Sequence, residues 1–86
     1  MESKAQKAAL ATIENMVANL IWNIEGHGDG ISLSKCSDRN KSVEEVIKEY
    51  NLDKKLLADA NSEIYDALMK NKKYVLAAQF AKKYGL

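Results

Sequence analysis

Apolar residues in the first quarter of the chain recur at alternating spacings of three and four. Five of them share one stripe of an α-helix: Leu10, Ile13, Val17, Leu20 and Ile24. The pattern predicts a long amphipathic helix from Ser3 to about Ile24, within an N-terminal segment 1–25.

A second apolar stripe follows Ser42, with the spacing of one helical face: Val43, Val46, Ile47 and Tyr50. Ser42 and Glu45 have the spacing of a capping box, which predicts that this helix begins at Ser42 and runs over 42–50. Asn51 tolerates the left-handed conformation that ends a helix, and Leu52 can then pack back onto the preceding turn.

Two more helices are predicted after Asp53, which is a suitable N-cap. The first covers about 54–69, and Asn61 with Ser62 could kink it by competing for backbone hydrogen bonds. The last covers 72–84, and its predicted inward face contains Tyr74, Ala77, Ala78, Phe80, Ala81 and Tyr84.

Residues 26–41 are predicted to form a long loop. Three glycines in Gly26–Gly30 would lose too much conformational entropy in a helix. Ile31 to Ser34 alternates like a short strand, and Lys35 to Asn40 is polar. Loops of this length are often functional or mobile.

Composition points to one small helical domain. The chain has 86 residues, of which 47% are hydrophobic and 29% charged, and it lacks proline. We therefore predict an all-α fold, a bundle of about four helices over 1–86. A long Gly-rich loop follows the first helix, and 42–86 forms a helical hairpin region.

Charge and targeting signals narrow the function classes. A net charge of +1 gives little long-range attraction to nucleic acid or membranes. No apolar run is long enough to span a bilayer, and Glu14, Asn15 and Asn19 interrupt any signal-peptide core. The lone Cys36 excludes an internal disulfide. We expect a cytoplasmic protein that does not bind membranes.

One loose cluster of chemically active residues is present: His27, Asp29, Cys36 and Asp38. It lacks the paired spacing of a zinc site. A Cys–His nucleophile pair is the alternative, but no third group accompanies it. We predict that the protein is not an enzyme and has no catalytic residue, metal or cofactor.

The first helix carries enough apolar surface for a protein interface, and Trp is enriched in binding hot spots. The candidate partner-binding residues are Leu10, Ile13, Val17, Leu20, Trp22 and Ile24. The alternative is that this stripe packs on the other helices of its own chain. We predict a protein partner, with self-association into a homo-oligomer through the stripe.

The segment Ser42-Val-Glu-Glu-Val-Ile-Lys-Glu-Tyr-Asn-Leu-Asp53 resembles the first helix and turn of a helix-turn-helix DNA-binding unit. Ala67–Leu86 is similar to a helical-hairpin repeat of the α-solenoid kind. The first resemblance implies a DNA-binding regulator centred on 42–69. Its phosphate contacts would come from the lysines near the turns, namely Lys54, Lys55, Lys70, Lys72 and Lys73.

The absence of a chemical site, together with the apolar stripe, favours a small protein-interaction or regulatory module. By analogy alone, such a compact, cofactor-free helical module resembles the accessory proteins of phages and mobile elements. The helix-turn-helix regulator is the alternative. Asp59, Glu63 and Asp66 lie on the predicted helix 54–69. Their carboxylates would oppose the entry of that helix into a DNA groove.

Overall fold

The computed structural model describes residues 3–86, which form four α-helices and no β-strand. The helices are α1 (Lys4–Ile24), α2 (Leu33–Glu49), α3 (Lys55–Lys70) and α4 (Tyr74–Tyr84). The prediction of an all-α fold with about four helices is confirmed. None of the four helices is both long and apolar enough to cross a membrane.

The N-terminus of α1 is fixed by a reciprocal cap. Ser3 Oγ accepts a hydrogen bond from the Gln6 amide at 3.1 Å, and Gln6 Oε1 accepts one from the Ser3 amide at 3.2 Å. This arrangement satisfies two donors that a helix end otherwise leaves unpaired. The first helix predicted from Ser3 to about Ile24 is therefore confirmed, with Ser3 as its N-cap and Lys4 as its first helical residue.

The start of α2 differs from the prediction. Ser32 caps this helix, because its hydroxyl accepts a hydrogen bond from the Lys35 amide at 3.2 Å. Ser42 lies in the helix interior, where its hydroxyl donates to the Asp38 carbonyl at 3.0 Å. The predicted capping box of Ser42 with Glu45 is wrong. The loop predicted over 26–41 is also too long, since only residues 25–32 connect α1 and α2.

Burial explains why α2 extends so far towards the N-terminus. Its buried residues recur at helical spacing: Cys36, Asn40, Val43 and Ile47. The polar first turns of α2 have weak intrinsic helix propensity. They are held as helix because one face is covered by the rest of the bundle, and packing of this kind supplies most helical stability in proteins.

The third helix runs without interruption through Asn61 and Ser62. Asn61 is buried, and its Oδ1 accepts a hydrogen bond from Nδ2 of Asn40 in α2. The Asn61 side chain is therefore bound to another helix and does not compete for its own backbone.

The end of α2 follows the predicted turn chemistry. Asn51 is left-handed with φ 52°, and the Leu52 amide donates to the Ile47 carbonyl at 2.9 Å. An Asp53 side-chain oxygen accepts from the Lys55 amide at 2.9 Å. The Leu52 contact ends α2. The N-cap position of α3 is Lys54, which makes no side-chain cap hydrogen bond, so Asp53 lies one residue before the N-cap position that was predicted for it.

The inward face of α4 is narrower than predicted. Ala77 and Phe80 are buried, whereas Tyr74 is 56% exposed and Ala78 is also exposed. The prediction that Tyr74 and Ala78 face inward is therefore wrong. The reason is that α4 packs only on α3 and α2, so a narrow stripe is enough to cover the contact.

The other three helices, α1, α2 and α3, pack on one another in all three pairings. At one end of the bundle α1 begins beside the α2–α3 turn, since Gln6 Nε2 donates to the Tyr50 carbonyl at 3.2 Å. At the other end the α1–α2 loop meets the α3–α4 turn, and Ile31 lines a groove together with Tyr74. We call these the Tyr50 end and the Tyr74 end.

Candidate functional site

The stripe predicted as a protein interface lies mostly inside the bundle. Four of its six residues are buried in the core: Ile13, Val17, Leu20 and Ile24. Leu10 is half-buried, and Trp22 is 54% exposed. The buried residues already contact the chain's own helices, so only Trp22 presents a large free surface to a partner.

Trp22 is held in place by the α1–α2 loop. The His27 ring stacks on the Trp22 indole with centroids 4.5 Å apart, and the His27 amide donates to the Trp22 carbonyl at 3.3 Å. Gly28 has φ 63°, and a Cβ there would stand 2.7 Å from Asn23 Oδ1. The positive φ favours glycine at this position, and any larger residue would also have to displace the Asn23 side chain.

The four candidate chemical residues do not form one site. Cys36 is fully buried in the core, and desolvation raises the pKa of its thiol to about 11. At neutral pH this thiol is protonated, and the thiolate is the nucleophilic form. His27 is exposed and stacks on Trp22. Among residues 3–86, no group of three His, Cys, Asp or Glu side chains could hold a metal ion.

The five lysines proposed for DNA are exposed, but they fall into two groups. Lys54 and Lys55 lie at the start of α3, while the other three lie at or just beyond its end. A helix of this length separates the two groups by about 22 Å. They therefore do not form one continuous basic patch.

The α2–α3 junction resembles a helix-turn-helix unit only at its turn, because α2 begins at Leu33 and not at Ser42, and α3 carries acidic side chains. The left-handed Asn51 and the immediate restart of α3 have the expected local form. However, Asp59, Glu63 and Asp66 are all exposed on α3. Carboxylates on a groove-facing helix are repelled by DNA phosphates.

A surface that the sequence did not predict lies at the Tyr74 end. Here Tyr74 is 56% and Val75 is 75% exposed, although both are large apolar side chains. They line a shallow groove of about 410 Å³ with four neighbours, and we call these six residues the Tyr74 surface: Ile31, Lys72, Lys73, Tyr74, Val75 and Leu76.

One feature of the sequence, its charge pattern, distinguishes the region of the Tyr74 surface. No Asp or Glu follows Asp66, while five lysines lie between residues 70 and 86. A basic run of this kind can meet an anionic partner or a nucleic acid, or it can form a solvated face in which Lys82 and Lys83 complement the dipole of the last helix. The exposure of Tyr74 and Val75 within this run depends on the position of α4 in the bundle, which the sequence pattern does not give.

A second concavity of about 350 Å³ lies between the end of α1 and the first turns of α2. Arg39, Lys35, Asp29 and Asp38 line it. The Lys35 ammonium is already bonded to the Gly30 carbonyl at 2.9 Å. Because both signs of charge face this cleft, it favours no single class of charged ligand.

The chain matches no protein-family model, no curated protein and no solved structure. The functional proposal therefore depends on the geometry and chemistry of its own residues.

Proposed function

We propose that this protein is a small cytoplasmic module that regulates or assembles a protein partner through the Tyr74 surface. The observation that carries the proposal is the exposure of Tyr74 and Val75, two adjacent large apolar side chains at the start of α4. Tyr is enriched in binding hot spots, and contact with a protein would remove both side chains from water.

The rigid backbone that carries these two side chains also supports a binding role. Tyr74 and Val75 occupy the first turn of a helix, and the backbone before it is fixed because the Lys73 amide donates to the Leu68 carbonyl at 2.8 Å. A surface on a rigid element loses less conformational freedom on binding than a mobile loop would.

Self-association belongs to the same proposal, but through a different surface from the α1 stripe. Ile13 and Val17 are enclosed by their own chain, so a second copy would have to meet an exposed surface, and we propose the Tyr74 surface for this contact. Sedimentation velocity over a wide concentration range tests this mode. A monomer at high micromolar concentration would exclude the homo-oligomer and leave a foreign partner.

The protein-binding proposal is tested by affinity capture from nuclease-treated cell extract. Val75→Glu places a carboxylate in the centre of the Tyr74 surface, while Ala18→Glu adds the same charge at an exposed position in the middle of α1. We expect the wild type and Ala18→Glu to retain a common partner that Val75→Glu loses. Capture that is equal for all three proteins would refute the proposal.

A second candidate function is DNA binding through the α2–α3 turn, favoured by the observed Asn51 turn and by exposed Lys54 and Lys55. Its test is titration with a mixed-sequence duplex at low and at physiological salt. Binding that survives physiological salt and falls sharply in Lys54→Ala/Lys55→Ala would support this candidate over the first.

A further inference from the structure

We propose that the partner of the Tyr74 surface is an acidic amphipathic segment. Its apolar side chains would cover Tyr74 and Val75, and its flanking carboxylates would meet Lys72 and Lys73. This inference rests on the proposed protein-binding function and specifies the chemistry of the partner.

Charge is the first ground for an acidic partner. Lys72 and Lys73 are both exposed beside the apolar groove, and neither ammonium has an ion-pair partner within residues 3–86. A partner that covers Tyr74 and Val75 would also shield these two cations from water. Complementary carboxylates would then offset the lost hydration and exclude basic competitors.

The apolar centre is the second ground, and it favours a peptide over nucleic acid. Val75 is the most exposed of the large hydrophobic residues within 3–86, and Ile31 and Leu76 beside it are also aliphatic. Phosphate and ribose groups would bury little of this aliphatic surface. An amphipathic segment supplies apolar and charged side chains a few ångströms apart, as this surface requires.

Selection from a displayed library of random 16-residue peptides tests the inference without a known partner. The bait is the immobilised full chain. Lys72→Glu/Lys73→Glu reverses the charge at the Tyr74 surface. Lys54→Glu/Lys55→Glu is the matched control, because it makes the same change in an exposed lysine pair at the Tyr50 end. Val75→Glu tests the apolar centre, and circular dichroism verifies that each variant is folded.

We expect the enriched peptides to combine apolar residues with excess Asp and Glu. Their affinity should fall by about tenfold or more in Lys72→Glu/Lys73→Glu and in Val75→Glu, and should change little in Lys54→Glu/Lys55→Glu. A mixed-sequence oligonucleotide should not displace them at physiological salt.

The other outcomes separate this inference from the proposed function. If the enriched peptides are neutral or basic but still require Val75, the proposal of an acidic partner is refuted, while the proposal that the Tyr74 surface binds a protein is retained. If the peptides bind Val75→Glu and Lys72→Glu/Lys73→Glu as well as the wild type, the Tyr74 surface is not the binding site and the proposed function is refuted. Displacement by the oligonucleotide would assign the site to nucleic acid, and failure to enrich any peptide would count against both proposals.

Discussion

Cys36 is a structural residue of the core. Its side chain is fully buried, and desolvation raises the pKa of the thiol from 9.0 to about 11. The thiol therefore behaves as a small apolar group at neutral pH. The sequence showed that Cys36 was unpaired, but its burial depended on the position of α2.

The raised pKa of Cys36 makes stability fall at high pH. The unfolded chain loses this proton near pH 9 and the folded chain near pH 11, so the folded state binds more protons between those values. The free energy of unfolding should fall across that interval by about 2–3 kcal/mol on account of this group. Urea titrations from pH 8 to 11 measure the effect.

Cys36→Ala is the control, because lysines and tyrosines titrate in the same range in both proteins. Its stability should fall less steeply than that of the wild type between pH 9 and 11. Parallel curves for the two proteins would show that the Cys36 thiol is not desolvated.

Lys72 is held in a backbone conformation that suits glycine. Its φ is 62°, in the left-handed region where a side chain costs about 1–2 kcal/mol. Lys72→Gly should therefore raise the free energy of unfolding by up to about 1 kcal/mol, after the extra freedom of glycine in the unfolded chain is subtracted. Lys73→Gly is the matched control, since Lys73 has φ −90°. An equal effect of both substitutions would contradict this reading.

Helix ends that are governed by local chemistry were predictable from the sequence. The Asn51 turn and the start of α1 depend on a few neighbouring residues, and both were confirmed. The start of α2 was not predictable in this way, because residues 33–41 are mostly polar and their few apolar positions show no clear helical periodicity. Their helix depends on burying Cys36 and Asn40 against other helices, which a local pattern does not reveal.

The corrected start of α2 is tested by a pair of serine substitutions. Ser32→Ala removes the hydroxyl that accepts from the Lys35 amide and should lower the free energy of unfolding by about 1 kcal/mol. Ser42→Ala lies inside the helix and should be neutral or slightly stabilising, because alanine is the better helix former. If Ser42→Ala lowers the free energy of unfolding more than Ser32→Ala does, Ser42 and not Ser32 caps the helix. Chemical denaturation gives both values.

The buried Asn40–Asn61 hydrogen bond joins α2 to α3 and fixes their relative register. Asn61→Leu would leave the Asn40 amide buried without its partner and should cost about 1–3 kcal/mol of unfolding free energy. The double variant Asn40→Leu/Asn61→Leu removes both polar groups and should recover much of that loss. A double-mutant cycle by urea denaturation measures the coupling, and losses that simply add would contradict it.

The sequence identified the apolar residues of α1 but not the helices that cover them. A stripe with three-and-four spacing suits a core face as well as an interface, and here α2 and α3 bury it. The Tyr74 surface was missed for the converse reason. Tyr74 has the spacing of an inward residue, yet no other helix covers the side of α4 on which Tyr74 and Val75 lie.

The central claim is that the Tyr74 surface contacts a protein in the cell. Tyr74 and Tyr50 are exposed tyrosines at opposite ends of the bundle, 56% and 39% accessible, and so form a matched pair. The most direct measurement replaces each in turn with a photo-crosslinking phenylalanine analogue, followed by irradiation of living cells. We expect a specific protein adduct from position 74 and none from position 50. Adducts of equal yield from both positions, or an adduct from position 50 alone, would contradict the claim.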